Sequence, residues 1–376
     1  MTIRVLYLSD YAGLGGGETS LINLMEAMPA KGVQPVLHCT GSGRLTRLAE
    51  SKALATEVNQ LSRWKTWLRD IPLPDFTGVK VLQQVIESYQ VDLVHCNSPE
   101  ASLVQGALAA RRAGVPFIWT CHGPWERPFG LRGRILAPYL SEIVCVSEWV
   151  ASGVRIPSIE GRVVHPGITK IVDHVPNQVA ELANLPQDSK KIALVGRFQK
   201  IKGQDLFVDA ALSLIENGHD GLYFLLIGGA EFGTEESDNY ERMLRRIEQT
   251  NFAHRFLLTG RLDVMPDVYA SIDLVVVASE AESFSMVTLE AMAAGVTPVV
   301  MDTSAPQEIT AGDRYGYMFR SGDSDSLARS VLRALEQPID GPELKSRAAR
   351  FSIESCADKM LQIYQQSRTA ARNSLL

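Results

Sequence analysis

Residues 280–298 read EAESFSMVTLEAMAAGVTP, with Glu282 and Glu290 eight positions apart. An apolar, strand-like run, SIDLVVVAS (271–279), precedes them and a helix-forming LEAMAA follows. The backbone N–H groups of a helix start favour an anion, and two carboxylates accept hydrogen bonds from hydroxyls. Together they suit a phosphorylated sugar. The plain alternative makes Glu282 a helix cap and Glu290 a solvated helix residue. Upstream, ALVGRFQKIKGQDLF sets Arg197 just beyond a strand and Lys202-Gly203 five residues later. Arg grips a diphosphate bidentately and Lys adds a mobile point charge. A Walker loop is excluded, because GxxxxGK[ST] is absent.

Further candidates stand at other strand ends. GLGGG (13–17) follows the first strand and precedes a helix, so Gly16 and Gly17 let the main chain approach a ligand closely. Its spacing is not GxGxxG, which makes NAD a poor match. His122 ends the strand PFIWTCH and can orient a substrate hydroxyl or stabilise developing charge; its plain alternative is a satisfied core histidine. Glu308, in SAPQEIT, reads first as a helix-dipole partner. Asp323-Ser324-Asp325 spells DxD but precedes SLARSVLRALEQ and reads as a helix N-cap. RWKTWLR (63–69) and WERPFGLRGRIL (125–136) interleave aromatic and basic residues, which suits a membrane interface, an acceptor groove or an ordinary amphipathic segment.

These residues need a scaffold. RVLYLSD (4–10), QPVLHC (34–39), VDLVHCN (91–97), PFIWTCH (116–122) and EIVCVSE (142–148) read as buried parallel strands, with helical patterns at 18–28, 79–89 and 99–114. The pattern restarts with strands at 190–197, 223–229, 255–260, 273–279 and 297–302. Alternation of this length means doubly wound α/β sheets. The joint falls near 167–188, where Pro176 and Pro186 break the pattern. The expected architecture is two such domains facing each other across a cleft, with ligands at the carboxyl ends of the strands. The expected division is 1–170, 171–355 and a C-terminal helix at 356–376 packing back toward the first domain.

Composition agrees with a globular protein: 376 residues, 45% hydrophobic and 21% charged. No window offers the roughly 18 apolar residues of a membrane span. MTIRVLYLSD enters a strand directly without a signal-peptide layout, so cytoplasm is the expectation. Net charge is −6, with 17 Lys/Arg against 15 Asp/Glu in residues 1–180 and 20 against 28 beyond. That balance excludes a nucleic-acid binder yet leaves the first half free to lie near an anionic surface. Five scattered cysteines, three beside histidines (His38-Cys39, His95-Cys96, Cys121-His122), form neither a disulfide framework nor a metal-ligand spacing.

Taken together the motifs resemble glycosyltransferase family 4, retaining sugar transferases of the GT-B fold. The resemblance runs over nearly the whole chain: GLGGGETSLINL, VCVSEWVASGV, VVHPGI, GRFQKIKGQDLFVDAA, LLIGGAE, FLLTGRLDVMPDVYASIDLVVVAS and ESFSMVTLEAMAAGVTPVV, in the family's order. It implies a nucleotide-sugar donor held mainly by the second domain and an acceptor held mainly by the first. By carry-over, Arg197 and Lys202 neutralise the diphosphate leaving group, Glu282 contacts sugar hydroxyls and Glu290 the ribose. Backbone amides at Ser283, Phe284, Ser285 and Met286 touch sugar or phosphate, and Arg261-Leu262 the base. Gly16 and Gly17 approach the phosphate from the other domain, and His122 lies by the transferred sugar. Ser283 and Ser285 stand where the family often has glycine, which narrows the sugar pocket; His165-Pro166-Gly167 replaces the usual Asn-Gly.

The reaction so implied is a retaining transfer that uses no metal or cofactor. A UDP-sugar is favoured over a GDP-sugar as donor, with a glycan, a lipid-linked or a small-molecule hydroxyl as acceptor. Peripheral contact with the inner membrane face through the first domain is the accompanying expectation. The alternatives are a nucleotide-sugar epimerase of similar two-domain fold and a non-catalytic sugar-nucleotide binder.

Overall fold

The computed structural model describes residues 2–61, 75–99, 101–123, 136–154, 156, 159–169, 177–229, 234–302 and 305–373. The basic-aromatic stretch 63–69, and 125–135 of the second one, lie outside them. The chain divides into two compact units, Met1–Thr169 with Ser352–Leu376, and Lys170–Phe351.

Among the described residues the first unit holds seven strands: β1 (Ile3–Ser9), β2 (Val33–Cys39), β3 (Ala55–Val58), β4 (Leu93–Cys96), β5 (Phe117–Cys121), β6 (Glu142–Cys145) and β7 (Gly161–Val163). They pair in parallel in the order β3-β2-β1-β4-β5-β6-β7. The second unit holds β8 (Lys190–Val195), β9 (Leu222–Ile227), β10 (Phe256–Gly260), β11 (Leu274–Val277), β12 (Thr297–Met301) and β13 (Tyr317–Phe319), in the order β10-β9-β8-β11-β12-β13 and again parallel. Each sheet reverses its winding at one place, between β1 and β4 and between β8 and β11. Loops leaving neighbouring strands part there and open a crevice at the carboxyl ends.

The strands are apolar on both faces because both are covered. In the second sheet Ile192, Leu194, Leu274 and Val276 enter one core cluster, while the alternate residues Ala193 and Val275 enter another. In the first unit Val5 and Tyr7 pack against Leu21 and Met25 of the helix Gly16–Ala27. The same cluster takes in Cys356, Ala357, Met360, Ile363 and Tyr364. These belong to the C-terminal helix, which runs Ile353–Asn373, three residues earlier than the sequence placed its start. Its entry is pinned where Ile353 N–H donates to Ile168 O at 2.9 Å. A Cβ on Gly167 would lie 2.5 Å from the Ser352 carbonyl oxygen, so only glycine admits that approach.

The C-terminal helix also closes a buried polar chain. Tyr364 Oη donates to Tyr7 Oη at 3.0 Å. His95 Nδ1 lies 2.7 Å from Tyr364 Oη, and Nε2 lies 2.6 Å from Thr120 Oγ1. With the Tyr364 proton committed to Tyr7, His95 donates from Nδ1 and accepts from Thr120 at Nε2. Burial depresses the His95 pKa to about 3, with a smaller contribution from His122, so the ring stays neutral. Tyr364→Phe should destabilise the protein by about 1–3 kcal/mol, the cost of leaving a buried hydrogen-bonding group unpaired. Urea unfolding measures this; an unchanged midpoint would refute the chain's structural role.

Candidate active site

In the second unit the site grows from the β8 exit. Gly228, just after β9, has φ +157 and leaves no room for a Cβ, which would lie 1.9 Å from the Gly196 carbonyl oxygen. Beyond Gly196, Arg197 extends Nη1 to Glu236 Oε1 at 2.9 Å. Glu236 lies on the helix Thr234–Glu248 and is only 3% exposed. The Arg197 carbonyl in turn accepts from Gln204 Nε2 at 2.7 Å, tying the loop to the first turn of the helix Gln204–Glu216.

Lys202 ends the short 3₁₀ turn Lys200–Lys202, and Gly203 follows with φ +73. A Cβ there would sit 2.2 Å from the Ala278 carbonyl oxygen, just past β11. Only glycine satisfies both constraints. The approach is reinforced by Glu280 N–H donating to Ile201 O at 3.0 Å. With the two strand exits pressed together, Lys202 Nζ donates to Glu282 Oε2 at 2.8 Å, both side chains being partly buried. The structure therefore brings together Lys202 and Glu282, which the sequence separates by 80 positions.

Glu282 does not cap the next helix. That helix, Met286–Ala294, is capped by Ser285, whose Oγ accepts from Thr288 N–H at 3.2 Å and from Thr288 Oγ1 at 2.8 Å. Ser285 has φ +80, the left-handed region that glycine enters freely and serine enters under strain. Its buried side chain turns into its own helix, which corrects the expectation that it narrows a sugar pocket. Phe284 is also buried and stacks edge-on against Phe351 at 5.7 Å, and Met286 opens the helix. At Phe284 and Ser285 the groups suited to a ligand are therefore backbone ones. Ser283 is partly buried on the loop between Glu282 and that cap.

Glu290 is not a solvated helix residue either. It is partly buried and accepts from Tyr269 Oη at 3.0 Å. Tyr269 lies on the helix Met265–Ala270 and is 1% exposed. Burial pushes the Glu290 carboxyl up to about 7, against the opposing pull of the Tyr269 hydrogen bond. Arg261 Nε bonds Asp263 Oδ1 at 3.1 Å, while Leu262 packs into the core with Val268 and Tyr269. Glu308 lies in the first turn of Pro306–Thr310, and its carbonyl accepts from Arg347 at 2.6 Å. Asp323 is an N-cap, accepting from Ser326 N–H at 2.7 Å, as its place before a helical run implies.

In the first unit the helix Gly16–Ala27 starts directly beyond the β1 loop. The Glu18 carboxylate accepts from Gly15 N–H at 3.0 Å, so this helix start already holds an anion of its own. A Cβ on Gly17 would lie in van der Waals contact with the His122 ring, at 3.4 to 3.6 Å. His122 Nε2 lies 2.8 Å from Asn97 Oδ1, and burial depresses its pKa to about 4. Gly17 and His122 are thus neighbours. Sequence reasoning missed Asn97, Glu236 and Tyr269. Asn97 alone carried a signal, as a polar residue directly after a buried strand.

Two family models match the chain: one described as Glycosyltransferase Family 4 over residues 14–169, and one described as Glycosyl transferases group 1 over 189–337. The chain is 22% identical over 393 aligned residues to the Escherichia coli UDP-Gal:alpha-D-GlcNAc-diphosphoundecaprenol alpha-1,3-galactosyltransferase, covering 96% of each. It is 27% identical to a D-inositol 3-phosphate glycosyltransferase of Gordonia bronchialis, over 81% of this chain and 73% of that one. The structure of Anabaena HepE in complex with UDP matches with a TM-score of 0.78 at 19% identity, covering 97% of this chain and 100% of that one. That likeness shows the fold, GT-B.

The Glu290 carboxyl provides a direct check on this geometry. A carbon-detected NMR titration should centre near 7 and move higher in Tyr269→Phe, which loses the hydrogen bond that holds it down. Its folded pKa stands above the ordinary 4.5, so its favourable contribution to stability is present below 4.5 and lost as pH rises through about 7. Glu290→Gln should therefore gain stability over wild type at pH 8 relative to pH 5. A wild-type midpoint near 4.5 would contradict both expectations.

Proposed function

Because the chain belongs to glycosyltransferase family 4, with the group 1 glycosyl transferase domain in its second half, we propose that it moves a sugar with retention from a nucleotide-diphosphate sugar to an acceptor hydroxyl. A UDP-sugar is the favoured donor and a GDP-sugar the alternative. The observation that carries the reading is the 2.8 Å pair of Lys202, on the loop that also bears Arg197, with Glu282, on the loop beyond β11, at the switch point between β8 and β11. It sets a movable cation and a hydroxyl-binding carboxylate side by side where the second sheet opens.

On this reading the anomeric C–O bond to the diphosphate loosens into an oxocarbenium-like state. Arg197 and Lys202 take up the charge that grows on the leaving diphosphate, which is electrostatic stabilisation of the transition state. Glu282 accepts from sugar hydroxyls and Glu290 from the ribose, with backbone groups at Ser283, Phe284, Ser285 and Met286 on sugar or phosphate. Arg261 and Leu262 contribute main-chain contacts to the base. The acceptor hydroxyl attacks from the face the leaving group departs, its proton passing to a donor phosphate oxygen. No metal takes part. His122, with Gly16 and Gly17, lines the substrate side of the first unit.

The acceptor is a glycan, a lipid-linked or a small-molecule hydroxyl. The diphosphoundecaprenol in the Escherichia coli relative's name supports the lipid-linked choice and the inositol phosphate in the other supports the small molecule. No described helix is long and apolar enough to cross a membrane. Peripheral contact from the cytoplasmic side rests on the two basic-aromatic stretches alone. An epimerase is the weaker reading, since the relatives above are named as transferases.

A thermal-shift screen of nucleotide sugars tests the donor class: a ligand at 100 times its dissociation constant stabilises by about 2.7 kcal/mol. Nucleotide release that requires an acceptor then separates transfer from epimerisation. Arg197→Ala and Lys202→Ala together should lower kcat by at least about a hundredfold. Wild-type-like turnover in that double variant would sink the proposed electrostatics.

A further inference from the structure

Arg347 lies in the last turn of the helix Gly341–Ala348 and uses one edge of its guanidinium as a clamp. Nε donates to the Ile309 carbonyl at 2.8 Å and Nη2 to the Glu308 carbonyl at 2.6 Å. Both carbonyls belong to the last turn of Pro306–Thr310, where an α-helix cannot satisfy its own acceptors. At the opposite end of that helix its N-cap, Ala305, donates its N–H to the Glu282 carbonyl at 3.2 Å. The same guanidinium lies over the Phe351 ring at 5.1 Å, and Phe351 is the edge-on partner of Phe284. One half-buried side chain therefore reaches the loop after β11 by two routes, ending at Glu282 and at Phe284.

We propose that Arg347 is a positioning residue for this loop, fixing the main chain at Glu282 and Phe284 so that residues 282–286 meet the nucleotide sugar. That role rests on the reading of those residues as donor contacts, and Arg347 acts through them without touching substrate. Ser285, the next residue, stands at φ +80, and such strain persists only where the surroundings over-determine the backbone. The two routes from Arg347 fix the chain immediately before it.

The role calls for arginine. A planar fork bonds two adjacent carbonyls while its face lies on an aromatic ring; an ammonium has neither the plane nor the fixed fork. Phe284, Ala305, Ile309 and Phe351 are all buried, and close-packed surroundings pass a displacement on rather than absorb it. The neighbouring cations Lys345 and Arg350 are exposed, whereas Arg347 turns inward. Every residue of the brace lies in the second unit.

The test is Arg347→Lys in the full chain, read by amide hydrogen exchange and by calorimetric binding of UDP and UDP-glucose. The Ala305 amide, which donates to Glu282, should exchange about tenfold faster or more, while amides of β8 and β11 keep their wild-type rates. The UDP-glucose dissociation constant should rise about fivefold or more, because the loop must be ordered again on binding. A merely structural role would lower the urea midpoint and leave the affinity of the folded protein unchanged. Wild-type affinity in folded Arg347→Lys overturns the proposal, whatever the Ala305 rate. Should that variant not fold, Phe351→Leu cuts the second route alone, and unchanged UDP-glucose affinity there does the same. A wild-type chain that binds neither UDP nor UDP-glucose removes the donor reading instead. The exchange rates then decide by themselves whether Arg347 holds the loop.

Discussion

The second unit depends on one close approach, that of Gly203 to the carbonyl of Ala278. Two strands that are neighbours in the sheet send their chains off in opposite directions at a switch point, so their loops have no reason to meet. Here they meet because one residue lacks a Cβ and adopts φ +73. The backbone bond from Glu280 to Ile201 holds the contact, and the Lys202–Glu282 pair is its outcome. A Cβ at position 203 would clash with the Ala278 carbonyl and force the two exits apart.

Charge at this place is balanced before any ligand arrives. Arg197 bonds buried Glu236, and Lys202 bonds partly buried Glu282. Each carboxylate holds a long, rotamer-rich cation in a defined orientation, so the side-chain entropy of that cation is already lost in the fold. The two pairs differ: Glu282 follows a strand exit and is partly exposed, whereas Glu236 is enclosed on its helix. The difference between the two cations is therefore set by the burial of their partners as well as by Arg and Lys themselves.

The central strands were legible because a strand buried on both faces is written as an unbroken apolar run. β3, β7 and β13 were not, for a matching reason: they lie at or beside sheet edges, are three or four residues long and are largely half-exposed. Three or four residues are too few to show an alternation or an unbroken apolar run. In the site, Arg197, Lys202, Glu282 and Glu290 could be picked out because glycines and strand ends mark them. Their partners could not. Glu236 lies in TEESDNYERMLRRIE, which reads as a solvated, charged helix, and only the fold shows that it faces inward. Tyr269 looks like a core aromatic, and its hydroxyl matters only because Glu290 is above it. The strain at Ser285 was equally invisible, since φ is not written in a residue type.

The first unit is interrupted: residues 170–351 lie between its strands and the helix Ile353–Asn373 that completes its core. Tyr7 and Tyr364, hydrogen-bonded in the finished protein, are separated by 357 positions. On a ribosome that emits the chain from its N-terminus, β1 is made long before the helix Ile353–Asn373, and the core they share stays open until that helix has emerged. The second unit, contiguous in sequence, has all its strands and helices available earlier. The strands of the first unit are thus made before those of the second, yet the first core is the later of the two to have all its parts.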